Sequence, residues 1–248
     1  MFIKFILVFC FFYFLFNMVP KYHYLYIMRG TKLINQKKVD EGLLLFEKGA
    51  YGKKVDYMTK IRYAFLELKM GSLEKAKKMI MYILSTGKVP LNIRYEAKAI
   101  YALIQFKEGE INEAKETMLD VYENYKTTNM YCTLGYLFNI LESPKKAVEL
   151  NEEAYEYNSE KEVILDNLGE AYFLNDDVEK AYEIYEKLME KNPAFPEAYY
   201  NYARVLDKKG DREKAEEMLS TALEKPFNKL TTVTKEEINK YMDEIKGI

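Results

Sequence analysis

Few residues in this 248-residue chain are of a type that could do chemistry. His23 is its single histidine, so a histidine-based triad would have to use that residue. The two cysteines, Cys10 and Cys132, sit in an apolar run and in an expected helix, with no pairing pattern. A zinc site needs several Cys or His ligands, which the sequence does not supply. Its glycines are isolated, so no phosphate-cradling loop is expected. Paired carboxylates such as Glu152-Glu153 and Asp176-Asp177 are expected on exposed faces or turns, where solvation is their ordinary role. The residues therefore point to binding rather than catalysis: no enzyme activity, no metal and no cofactor are expected.

The elements that position these residues repeat along the chain. Gly42, Ala76, Ala114, Ala147, Ala181 and Ala215 recur at separations of 34, 38, 33, 34 and 34 residues. Twelve positions before each stands another small residue: Gly30, Ala64, Ala102, Gly135, Gly169 and Ala203. Glycine and alanine together number 27 of 248, too few to fill twelve slots by chance. Two helices that cross closely need small side chains at the crossing. Large residues flank the slots at helical spacing: Tyr63, Tyr101, Leu134, Leu168 and Tyr202 before the first, and Phe46, Ile80, Met118, Tyr185 and Leu219 after the second. Turn residues lie between them at Gly71-Ser72, Gly109-Glu110, Asp176-Asp177 and Gly210-Asp211.

This period and these residue choices resemble the tetratricopeptide repeat (TPR). The segment Leu165 to Pro193 carries the pattern best, with Leu165, Leu168, Gly169, Tyr172, Ala181, Tyr185 and Asn192-Pro193 in phase. The resemblance implies an all-α fold: a right-handed superhelix of about six helix-turn-helix repeats, near 23–56, 57–90, 95–127, 128–161, 162–195 and 196–229. Some positions depart from the pattern. Tryptophan is absent, Lys60 and Lys98 occupy its slot in two repeats, and Glu67 and Gln105 stand where apolar residues are usual. A surplus of four residues, Leu91 to Arg94, interrupts the period. After the repeats, residues 230–248 form a linker and a capping helix. The helix opens on a Thr234/Glu237 capping box and carries an Ile238, Tyr241, Met242, Ile245 stripe.

The resemblance also implies a concave groove, lined by the first helices, that holds a peptide or protein segment. The groove positions are Ile61, Phe65, Leu103, Phe106, Tyr136, Asp166, Asn167, Glu170, Tyr200, Asn201 and Arg204. Of the Lys/Asn/Arg set that clamps a carboxylate in some family members, only Asn167 and Asn201 match.

Residues 2–19 hold one charge, Lys4, and could span roughly 27 Å as a helix, enough for one transmembrane anchor over 1–20. Small residues of a signal-peptidase site are missing there. Residues 21–94 carry 16 Lys/Arg against 6 Asp/Glu, while residues 95–248 carry 20 against 33. A basic part thus follows the anchor, with Lys21, Arg29 and Lys32 placed to meet anionic lipid. The basic residues after the span favour a cell-membrane protein with its solenoid, 21–229, in the cytoplasm; an extracytoplasmic solenoid is the alternative. The acidic remainder would repel nucleic acid. Three functions fit: a membrane-anchored scaffold for a protein or peptide ligand, a homo-oligomer that joins basic to acidic ends, or a regulator of a partner enzyme.

Overall fold

The computed structural model describes residues 22–247. The expected anchor at residues 2–19, and Lys21 beside it, lie outside the described residues. Among the described residues, no helix is long and apolar enough to cross a membrane. All regular structure there is helical. Helix α1 covers residues 22–35. It is followed by α2 (Val39–Ala50), α3 (Tyr57–Met70), α4 (Leu73–Ser85) and α5 (Leu91–Lys107). The chain continues through α6 (Ile111–Asn124), α7 (Thr128–Leu141), α8 (Pro144–Tyr157), α9 (Glu162–Leu174) and α10 (Val178–Glu190). It ends with α11 (Pro196–Lys209), α12 (Arg212–Glu224) and α13 (Lys235–Lys246). The described residues divide into two compact units, 22–104 and 105–247.

Every one of the twelve small-residue slots is buried. In the first unit the reason is steric. A β-carbon on Gly30 would stand 2.6 Å from the Gly42 carbonyl oxygen and 2.8 Å from the Phe46 amide nitrogen. Helices α1 and α2 therefore meet backbone to backbone. Phe46 and Tyr63 pack beside them with ring centroids 6.1 Å apart, and Ala76, Met79 and Ile80 are fully buried on α4. Each such large apolar side chain contributes about 1.5–3 kcal/mol by leaving water.

Two of the residues that depart from the repeat pattern in this unit, Lys60 and Glu67, are buried and satisfied. Lys60 is 5% exposed, and its ammonium donates to the carbonyls of Ala50 (2.6 Å) and Gly52 (3.1 Å). It thereby closes the carbonyl end of α2, which has no intrahelical partners there. Glu67 accepts the Ser72 N–H at 2.8 Å and so fastens the turn between α3 and α4.

In the second unit α7 packs on α8, α9 on α10 and α11 on α12, and the first helices α7, α9 and α11 follow one another as neighbours. The four surplus residues give α5 an additional first turn, making it 17 residues long against 12–14 for α2–α4 and α6–α13. Gln105 accepts the Thr117 hydroxyl at 2.8 Å, joining α5 to α6. Tyr185 packs on Gly169, where a β-carbon would lie 2.6 Å from its ring. It also stacks on Tyr202 at 5.6 Å. Glu152 and Glu153 are occupied in tying helices together. Glu152 accepts Tyr172, and Glu153 accepts Tyr122, Tyr131 and Lys126. Thr234 and Glu237 form the capping box of α13, whose Ile238 and Ile245 are buried against the last hairpin.

Candidate functional site

The eleven expected groove residues divide between the units. Ile61, Phe65 and Leu103 belong to the first; Ile61 is buried, and Phe65 and Leu103 are half-buried. The other eight belong to the second, on α5, α7, α9 and α11. Phe106 sets its ring edge-on to Tyr136 at 5.5 Å. Six of the eight, Tyr136, Asp166, Glu170, Tyr200, Asn201 and Arg204, line one cleft of about 190 Å³.

The two asparagines differ from the expected ligand role. Asn167 is buried, and its amide donates 2.9 Å to the Cys132 carbonyl of α7. It therefore joins successive first helices rather than facing a ligand. Asn201 does line the cleft, but its amide donates 3.2 Å to Asp166 Oδ1, and its carbonyl oxygen accepts Arg204 at 3.1 Å. Asn139 extends this ladder, donating to the Asn167 carbonyl at 2.9 Å.

Five lining residues were not expected from the sequence: Ile140, Glu197, Thr232, Val233 and Glu237. Ile140 lies four positions after Tyr136 and Glu197 four before Asn201, so helical periodicity could have found both. Thr232 and Val233 come from the linker, where no periodicity exists. The Thr232 N–H and hydroxyl both donate to Glu197 Oε1, at 2.7 and 3.4 Å, which folds the linker onto the start of α11.

The cleft is electrostatically uneven. Asp166 is 7% exposed. Burial, then the charges of Glu170 and Glu197, push its carboxyl up to about 8, against the opposing hydrogen bonds from Asn201 and Tyr185. Tyr136 is raised to about 12, chiefly by burial, with Glu170, Glu197 and Asp166 adding to the shift and Thr232 opposing it. Arg204 approaches Glu170 at 3.5 Å and lies 4.7 Å over the Phe173 ring. Burial lowers the Lys107 ammonium, and Glu197 opposes the shift. The arrangement pairs no nucleophile with a base. Among the described residues no cluster of His, Cys, Asp and Glu could hold a metal ion. Cys132 is raised to about 11, mainly by burial, and so is held as the unreactive thiol.

The family model of the tetratricopeptide repeat matches residues 172–229. No curated protein matches the sequence. Solved structures match over most of the chain. A tetratricopeptide repeat protein from Parabacteroides merdae is 15% identical, with a TM-score of 0.68 over 90% of this chain and 84% of that one. PilF of Pseudomonas aeruginosa is 12% identical, with a TM-score of 0.61 over 91% and 99%. A thermophilic TPR protein of Thermus thermophilus is 16% identical, with a TM-score of 0.58 over 78% and 100%. The fold is thus that of tetratricopeptide repeat proteins, a fold consistent with a protein-interaction scaffold.

Proposed function

We propose that the protein is a scaffold which holds a peptide or protein segment in the cleft of its second unit, and which residues 2–19 tether to a membrane. One observation carries the binding half: six groove positions implied by the repeat resemblance line a single cleft, with aromatic and polar groups side by side. Such mixed lining suits recognition, since apolar surface supplies affinity and a few polar groups supply orientation. The apolar run before residue 20 and the basic residues that follow it support the tether, a cell-membrane location and a cytoplasmic repeat domain.

The test is a randomised peptide array probed with the full chain in lipid nanodiscs. Tyr136→Glu and Tyr200→Ala should each reduce capture at least tenfold while leaving helical content unchanged. Equal capture by both variants would remove the cleft from the reading. Lys229→Cys in a chain lacking Cys10 and Cys132 should resist an impermeant maleimide in intact cells; rapid labelling there would reverse the topology.

A further inference from the structure

We propose that the cleft between α7, α9 and α11 receives a cationic side chain, lysine or arginine, from an extended peptide segment, with its charge on Asp166 and Glu170 and its stem against Tyr136 and Tyr200. This rests on the peptide-binding reading above and adds the chemistry of the ligand.

Charge is the first argument. Glu170, Glu197 and Glu237 line the cleft beside Asp166, against one guanidinium, Arg204, which is already engaged by Glu170, Asn201 and the Phe173 ring. The second argument is independent of that count. Asp166 is nine-tenths buried, and Oδ1 accepts from both Asn201 and Tyr185 at 3.2 Å, while Oδ2 has no donor. Oδ2 is thus the oxygen left to accept from an incoming cationic N–H once the carboxyl has given up its proton. Size and geometry narrow the occupant. A volume of about 190 Å³ suits one long side chain rather than a helix. The carboxyl groups do not converge as a metal cluster would. The two tyrosine rings suit the aliphatic stem and the charged head of such a side chain.

The site also senses pH. Asp166 is faced by Glu170 on its own helix, Tyr185 on α10, Glu197 and Arg204 on α11, and Tyr136 on α7. A carboxyl protonated up to about pH 8 must release its proton to hold a cation, so affinity rises with pH below that value.

The experiment uses an array of peptides with randomised flanks and a central Arg, Lys, Gln or Glu, probed with the full chain at pH 6, 7 and 8. Arg and Lys peptides should be captured at least tenfold better than their Gln and Glu counterparts. Glu170→Gln should shrink that preference severalfold, and Asp166→Asn should flatten a pH dependence that approaches tenfold per unit in the wild type. Equal capture of all four classes, or preference for Glu, overturns the inference. Loss of capture to Tyr200→Ala without charge preference would retain the peptide groove and reject the cation; no cleft-dependent capture would reject both. Displacement of Arg peptides by spermidine at lower concentration than by free Arg peptide would overturn the peptide as the source of the charge.

Discussion

Asp166→Asn isolates the effect of one buried carboxyl on the stability of the second unit. The wild-type group titrates at about 8 in the fold against a reference of 3.8. This is the reverse of the usual aspartate: the folded state holds a proton that the unfolded chain has released. Stability is then complete below about pH 4 and falls as pH rises towards 8, by about 1.4 kcal/mol per unit. From pH 5 to pH 8 the wild type should lose about 3–4 kcal/mol relative to asparagine, which cannot ionise. Asparagine keeps an oxygen for the donors on Asn201 and Tyr185, so it should fold. Urea unfolding of both chains across pH 5–8, followed by circular dichroism, reads the difference directly. Parallel stability curves, agreeing within about 0.5 kcal/mol after one is offset, would refute the buried-carboxyl argument.

Packing and hydrogen bonding set the remaining outcomes. Gly30→Ala drives a methyl into the backbone of α2 and should destabilise by about 1–3 kcal/mol. Gly87→Ala meets nothing within 4 Å and should be neutral or stabilising by a few tenths, as thermal melts will show. Asn167→Ala removes the side-chain donor to the Cys132 carbonyl, which keeps its helical N–H, and should cost about 0.5–1.5 kcal/mol. Its peptide capture should remain unchanged, measured below the melting transition; a selective loss of capture would return Asn167 to the ligand.

The repeat phase was legible because its cause is steric and local. A helix crossing admits only small side chains, so Gly30, Gly42, Gly169 and Ala203 declare themselves by spacing. Lys60, Glu67 and Gln105 looked like defects because their partners could not be read. Those partners are carbonyls, an amide and a hydroxyl 5 to 12 residues away, reached through particular rotamers. Asn167 and Asn201 were placed on the right helices, but their hydrogen bonds to the neighbouring helix could not be read. Each donates to a group 35 residues earlier, on the preceding first helix. Periodicity within one helix carries no signal of that neighbour. The linker contribution was hidden for a simpler reason: Thr232 and Val233 belong to no period at all.

That linker has a consequence for the order of events during synthesis. Helices α7, α9 and α11 emerge from the ribosome before the residues that finish the wall between them. Thr232 fastens onto Glu197 from 35 positions downstream, and Glu237 arrives later still. A nascent chain halted after α12 presents an unfinished cavity, open along one side. A truncation at residue 230 would leave the helices of the cleft present and its enclosure missing.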